Sequence, residues 1–158
     1  MTSLSDDSFI RSPKEAAIAE RSDRLASMIV GRAAEHDLAG SFPFENFDDL
    51  KREGYLKLTV PKEFGGDGCS LYEMVLAQER LARGDGATAL AVGWHVGLML
   101  HWRVDRSWPA ALYERICRDA VRDGEMINHF ASEQATGSPS RGGKLQTTAS
   151  KTDGGWLL

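Results

Sequence analysis

Residues 54–68 read GYLKLTVPKEFGGDG, in which apolar side chains lead to a proline and then to three glycines in four positions. Pro61 disfavours helical backbone at the residue before it, so the pattern predicts an extended connector over residues 55–60. The glycine content of residues 64–69 predicts a loop. The run therefore predicts a break between two regions of regular structure, and the pattern on either side of it determines the fold class.

Upstream of this run, apolar residues recur at spacings of three, four and seven, which is typical of one face of an amphipathic helix. The pattern predicts a helix over residues 14–38, with Pro13 at its start, where a missing N–H costs nothing. A short second helix is predicted over residues 45–53 and ends at Gly54. The apolar residues of the first helix are Ile18, Leu25, Met28 and Ile29.

Downstream of the run, Ser70 and Glu73 stand at the spacing of a capping box and predict the start of a third helix. The glycines of the Gly84-Asp85-Gly86 segment predict its end. Its predicted inner face consists of Leu71, Met74, Val75, Gln78, Leu81 and Ala82.

Two further helices are predicted beyond that point. The helix over residues 87–104 is apolar nearly all round, so we expect it in the middle of a bundle. Pro109 opens a last helix that runs to about Arg122.

The period of the pattern changes after Gly124. Residues 126–131 and 145–149 predict short strands, and the turn signal Asp153-Gly154 predicts a hairpin with residues 156–158. The fold class is therefore mainly α, with a helical bundle over residues 1–124 and the first strands of a β domain over residues 125–158. The last predicted strand ends without a turn, so we expect a truncated β domain.

Composition and charge exclude several classes of protein. Nineteen basic and 23 acidic residues give a net charge of −4, which leaves no basic surface for nucleic acid. The acidic N-terminus has no signal-peptide pattern, and the uncharged residues 87–102 are too short for a membrane span. Two cysteines do not make a disulfide framework, so we expect a cytoplasmic protein.

Two sequence patterns suggest a ligand site, but a purely structural role explains each of them better. Residues 84–89 fit the relaxed dinucleotide fingerprint G-x-G-x-x-A, but a predicted helix precedes them where the fingerprint needs a strand. His95 and His101 are six residues apart and do not share a helix face, so no metal site is predicted.

The segment over residues 129–138 is the candidate ligand loop. It leaves a predicted strand and enters a loop of small and hydroxyl residues, whose backbone N–H groups can donate to a carbonyl or a pyrophosphate. Gly137 permits close approach of a ligand, and Ser132 and Ser138 add neutral donors. No G-x-S-x-G pattern accompanies these serines, so hydrolase chemistry is not supported.

The order of these segments resembles the acyl-CoA dehydrogenase superfamily over nearly the whole chain after about residue 14. Residues 54–68 resemble the family signature G-h-x-x-h-x-[VI]-P-x-x-[FY]-G-G-x-G, where h is hydrophobic, and residues 79–84 resemble its E-x-L-A-x-G helix end. Residues 132–139, SEQATGSP, are similar to its T-E-P-x-A-G-S-D motif. Residues 147–149 and 153–156 also fall where the family has similar segments.

The resemblance implies a flavoprotein that oxidises an acyl-CoA thioester between Cα and Cβ, with FAD as hydride acceptor, an electron acceptor as partner and a homo-oligomeric full-length protein. It implies a β-barrel as the second domain. Cofactor contacts would come from His129, Phe130, Ala131, Ser132, Gly137 and Ser138, and Ser138 would also lie near the substrate. The catalytic carboxylate base would lie beyond Leu158, so this chain alone is expected to be inactive.

Two departures from the motif leave alternatives open. Gln134 replaces the usual proline and Pro139 replaces the usual aspartate. A Ser-Glu start also occurs in monooxygenases of the same fold that use reduced FMN or FAD as a co-substrate. A second hypothesis is therefore that the chain is part of such a monooxygenase, and a third is that it is a non-catalytic helical interaction module.

Overall fold

A computed structural model describes residues 9–129, 132–139 and 142–158 of the chain. The chain divides into two compact units, Met1–Asn128 and His129–Leu158. The described part of the first unit is helical, and its α-helices are α1 (Pro13–Ala39), α2 (Phe44–Arg52), α3 (Leu71–Ala82), α4 (Gly86–Asp105) and α5 (Ala110–Arg122). The described part of the second contains the strands β1 (Ser150–Thr152) and β2 (Gly155–Leu157).

The helix boundaries predicted from the sequence are confirmed to within about two residues, and the caps explain why. The Ser12 hydroxyl accepts a hydrogen bond from the Glu15 N–H at the start of α1. Ser70 and Glu73 form the predicted capping box at the start of α3, each side chain accepting from the other's backbone N–H. These interactions are local, so sequence spacing is enough to find them.

The prediction of an extended connector over residues 55–60 is wrong, because Tyr55–Lys57 and then Lys62–Phe64 form 3₁₀ turns. Five of the six side chains over residues 55–60 are buried, so buried and exposed side chains do not alternate along the segment as they do in a half-buried strand. The run instead folds back on itself, since the N–H groups of Gly68 and Cys69 donate to the carbonyls of Val60 and Leu58.

α4 holds this folded run in place at three positions. A ring nitrogen of His95 lies 2.8 Å from the Leu56 carbonyl, and the Thr59 hydroxyl donates to the Val96 carbonyl. The Arg103 guanidinium donates to the carbonyls of Thr59 and Cys69 at 3.2 and 2.9 Å. The run is thus part of the core of the helical unit rather than a surface connector.

The predicted central position of α4 is wrong. Its inner side packs on α3 and the core through residues such as Val92 and Val96, but Leu90 and Trp94 are 70% and 58% exposed. An all-round apolar sequence does not distinguish a helix enclosed by neighbours from one that leaves an apolar side outward.

The predicted inner face of α3 is also partly wrong, because Leu71, Val75 and Ala82 are exposed. The buried side is turned toward α1, where the Arg80 guanidinium pairs with the Asp23 carboxylate at 2.5 Å. This ion pair places a charged residue on the buried face, which an apolar pattern cannot show. The buried residues of α3 are Glu73, Leu76, Ala77, Arg80 and Leu81.

The second unit confirms the predicted hairpin but not the strands before it. β1 and β2 pair antiparallel around Asp153-Gly154, with Lys151 opposite Trp156. The described residues of the predicted strands 126–131 and 145–149 are not strands, because their N–H groups donate elsewhere: that of Ile127 to His95, and those of Gln146 and Thr147 to Glu133. The α-helices in the described ranges are each too short or too polar to cross a bilayer.

Candidate functional site

The candidate ligand loop is a short closed turn over residues 132–139. The N–H of Glu133 donates to the Gly137 carbonyl at 3.1 Å, and the N–H of Gly137 donates back at 2.8 Å. These two bonds form an isolated antiparallel bridge and bring Ser132 and Ser138 to the two ends of the turn. The structure therefore gathers Ser132, Gly137 and Ser138 in one turn, and His129 lies in the same unit. Phe130 and Ala131 lie outside the described residues.

The Glu133 carboxylate organises this turn. One of its oxygens accepts the Thr147 N–H at 2.8 Å, and the other accepts the Gln146 N–H at 2.8 Å and the Thr136 hydroxyl at 3.2 Å. Hydrogen bonds from Thr147 first, then from Gln146, lower the pKa of this carboxyl to about 2. Hydrogen bonds thus engage both oxygens of Glu133, so we assign it the role of holding the turn.

Gly137 leaves one side of the turn open. Its φ is +70°, a conformation that favours glycine, and no atom of the described residues lies within 4 Å of the position a Cβ would take. Gly143, in contrast, is closely packed, since a Cβ there would overlap the Thr136 carbonyl oxygen. Hydroxyl residues flank Gly137 in the sequence, a composition that suits a ligand with carbonyl or phosphate oxygens.

Sequence reasoning included Glu133 in a motif but missed its role. Its partners lie 13 and 14 residues further along the chain, and no periodicity links positions so far apart in a loop. The one signal in the sequence that pointed to this role was composition, because Glu133 is a single acidic residue among small and hydroxyl side chains.

The outward side of α4 is the second candidate surface. Leu90, Trp94 and Val104 are exposed and recur at intervals of four and ten residues, so they share a helix face. His101 is exposed in the same row. Contiguous exposed apolar side chains are typical of a ligand-binding or protein-contact surface.

The remaining candidates for chemistry have structural roles. Residues 84–89 comprise the end of the link after α3 and the first turn of α4, and the Asp85 carboxylate caps α4 by accepting the N–H groups of Ala87 and Thr88. Both cysteines are buried thiols, and burial raises the pKa of Cys69 to about 11, which opposes nucleophilic chemistry. Across residues 9–129, 132–139 and 142–158, no group of three or more histidine, cysteine, aspartate or glutamate side chains could hold a metal ion.

Comparison with known proteins bears on both units. Residues 12–107 match the family model of the acyl-CoA dehydrogenase N-terminal domain. The Bacillus subtilis protein named "Putative acyl-CoA dehydrogenase YdbM" is 41% identical over 150 residues, which is 95% of this chain and 39% of that protein. L-evernosamine nitrososynthase of a Micromonospora species is 31% identical over 172 aligned residues, covering 100% of this chain and 39% of that protein.

Solved structures give the same fold. KijD3 in complex with FMN and a dTDP-amino sugar has a TM-score of 0.62 and 36% identity, covering 71% of this chain and 29% of that one. The nitrososynthase from Micromonospora carbonacea var. africana has a TM-score of 0.62 and 32% identity, covering 70% and 29% of the two chains.

The chain spans about two fifths of the length of these two curated relatives. Its helical unit carries the family match, and its order of motifs runs on past that match into the second unit. The chain belongs to the acyl-CoA dehydrogenase family.

Proposed function

We propose that this chain is the N-terminal part of a flavin-dependent oxidoreductase that dehydrogenates an acyl-CoA thioester between Cα and Cβ. FAD, when bound, supplies the hydride acceptor, and a separate electron acceptor reoxidises it. Residues 1–124 would form the N-terminal domain and residues 125–158 the start of the β domain. The observation that carries the proposal is the turn over residues 132–139, with its open Gly137 and its bridge to Glu133.

Each residue predicted to contact the cofactor, in the turn or just before it, would bind a particular part of the ligand. The backbone of His129, Phe130 and Ala131 and the Ser132 hydroxyl would bind the edge of the flavin ring. Gly137 and Ser138 would lie against the pyrophosphate, and Ser138 would also face the CoA side of the substrate. Residues 125–158 carry three acidic and three basic side chains, so the segment has no net charge to repel a phosphate.

The helical unit would contribute an apolar surface for the acyl chain. The outward side of α4, with Leu90 and Trp94, offers exposed apolar area that a hydrocarbon chain can cover at a gain of about 25 cal/mol per Å². Glu133 is the one ionisable side chain of the described turn, and hydrogen bonds occupy both of its oxygens. We therefore propose that this chain binds and orients ligands, whereas proton removal needs a carboxylate from elsewhere in the protein.

A titration followed by NMR tests the proposal on the chain itself. FAD is added to the ¹⁵N-labelled chain up to millimolar concentration, with ADP as the control for the adenine nucleotide half alone. We expect weak binding, with shift changes concentrated on the amides of Ser132, Gly137 and Ser138. Because ADP also carries a pyrophosphate, it can shift Gly137 and Ser138, but it should not shift Ser132. No change at the three amides with FAD, or a shift at Ser132 that ADP reproduces in full, would refute flavin binding by the turn. Tight stoichiometric flavin in the purified chain would refute the claim that the rest of the protein is needed.

A second candidate is a monooxygenase that uses reduced flavin. Two observations favour it: the turn begins with Ser132-Glu133, and a nitrososynthase matches the whole chain at 31% identity. The two candidates predict different ligands for the outward side of α4. Octanoyl-CoA should perturb the amides near Leu90 and Trp94 if the first is right, and dTDP should do so instead if the second is right. FMN binding as well as FAD at the turn would add support for the second.

A further inference from the structure

His95 is the one histidine of the described residues that is completely buried, and both of its ring nitrogens are engaged. Nε2 lies 2.8 Å from the carbonyl oxygen of Leu56, in the run that closes the core. Nδ1 lies 3.2 Å from the backbone nitrogen of Ile127, in the segment that follows α5. One side chain on α4 thus joins two segments that are 71 residues apart in the sequence.

The two partners fix the chemical state of the imidazole. A carbonyl oxygen can only accept, so Nε2 must carry the proton, and a backbone N–H can only donate, so Nδ1 must be without one. The ring is therefore the neutral Nε2–H tautomer. Burial also lowers the pKa of His95, and the Leu56 carbonyl opposes this shift only in part.

Ile127 is held by packing as well as by this hydrogen bond. Its side chain packs on the small core cluster that contains Val60, Met99 and Cys117. Between α5 and Ile127 the chain turns at Gly124, which has a φ of +67° and lies under the aliphatic part of Lys51. The described backbone of residues 126–129 belongs to no helix or strand, so no helix or sheet ladder accepts the Ile127 N–H, and the His95 ring does so instead.

We propose that His95 is a positioning residue that anchors the chain at Ile127 where it leaves the helical unit, two residues before His129, the first of the flavin-contact residues. The flavin part of this inference rests on the proposed function. His95 would not touch the flavin. Its hydrogen bond to Ile127 would set the starting point of the segment that leads to Ser132 and the closed turn.

Three variants separate positioning from general stability. His95→Leu removes both hydrogen bonds, whereas His95→Gln keeps an N–H donor for Leu56 and a carbonyl acceptor for Ile127. Thr59→Val is the matched control, because it removes one buried hydrogen bond to Val96 in the same region without touching Ile127. Amide exchange at Ile127, the ring ¹⁵N shifts of His95 and the flavin-induced shift at Ser132 are measured in each.

We expect ring ¹⁵N shifts of the neutral Nε2–H tautomer in the wild-type chain. In His95→Leu, exchange at Ile127 should be roughly tenfold faster than in Thr59→Val, which corresponds to the loss of one net hydrogen bond. The flavin-induced shift at Ser132 should shrink in His95→Leu, and His95→Gln should restore most of both effects.

Each contrary outcome has its own meaning. An unchanged rate of amide exchange at Ile127 in His95→Leu, or a different tautomer in the wild type, would refute the claim that His95 holds Ile127 in place. Faster exchange with an unaltered flavin shift at Ser132 would overturn positioning of the flavin contacts and leave the proposed function intact. Absence of any flavin shift in the wild type would count against the proposed function and with it the flavin part, while the exchange rates would still decide the anchor at Ile127.

Discussion

The carboxylate of Glu133 accepts a hydrogen bond from the backbone N–H of Thr147 at 2.8 Å. The bond joins the closed turn to the segment that leads into β1, and a second bond from the Gln146 N–H lies beside it. The two segments belong to one unit in which the described strands are only three residues long. The Glu133 carboxylate therefore accepts backbone N–H groups that would be paired with a neighbouring strand in a larger sheet.

Replacing Glu133 by Gln should weaken this junction, because the amide keeps one acceptor but loses the charge that strengthens both bonds. We expect faster amide exchange at Gln146 and Thr147 in Glu133→Gln than in the wild type. In the wild type, protection at these two amides should be present above about pH 4.5 and should be lost as the pH falls through the lowered pKa of about 2. The control is Glu125→Gln, an exposed glutamate outside the turn; equal exchange in the two variants would contradict the assignment.

The stability of the helical unit should fall in mild acid because of His95. The folded chain resists protonation at this buried ring, whereas the unfolded chain takes up a proton near pH 6.5. The contribution is therefore present above about pH 6.5 and decreases as the pH falls toward the lowered folded pKa. Urea denaturation at pH 7 and pH 5 should show a larger loss in the wild type than in His95→Gln. Thr59→Val should keep the wild-type difference between the two pH values, and a wild-type difference in His95→Gln would show that another group is responsible.

Leucine-to-alanine substitutions should lower the unfolding free energy much more on the buried side of the bundle than on its outward side. Leu81 is completely buried in α3, so Leu81→Ala should cost about 2–5 kcal/mol of unfolding free energy. Leu90→Ala makes the same chemical change on the exposed side of α4 and should stay within about 0.5 kcal/mol of the wild type. Both values come from urea denaturation. Similar losses in the two variants would mean that the outward side of α4 is covered in solution.

Glycine-to-alanine changes should have opposite signs at Gly66 and Gly31. A Cβ at Gly66 would overlap the carbonyl oxygen of Val60, so Gly66→Ala should destabilise the folded run. Gly31 lies inside α1 with open space at its Cβ position, so Gly31→Ala should stabilise the chain by about 0.5–1 kcal/mol. Thermal unfolding measures both, and a neutral Gly66→Ala would show that the run does not close as tightly as the structure has it.

The sequence was a reliable guide wherever the cause of the structure is local. The capping box of Ser70 and Glu73 and the turn at Asp153-Gly154 involve residues at most a few positions apart, and both were predicted correctly. The order of motifs was also enough to recognise the family. Within the site, Ser132, Gly137 and Ser138 were predicted together and do lie in one turn, although their ligand contacts stay predictions.

The sequence was a poor guide wherever the local structure depends on contacts with residues that are distant in the sequence. Residues 55–60 were predicted to be extended from Pro61, but burial of their side chains against α4 favours tight turns. Leu71 and Val75 were predicted to be buried on α3, but they are exposed, and the buried face of the helix instead includes Arg80, which pairs with Asp23.

By itself, the amino-acid sequence determined the five helices, their caps, the hairpin and the family, because periodicity, capping and turn chemistry act over a few residues. Only the tertiary structure decided which side of α4 is outward, which carboxylate holds the turn and which histidine anchors Ile127. Those outcomes depend on contacts between residues 13 to 44 positions apart. Such contacts are set by packing and by the need of each buried polar group for a partner, and no spacing rule encodes them.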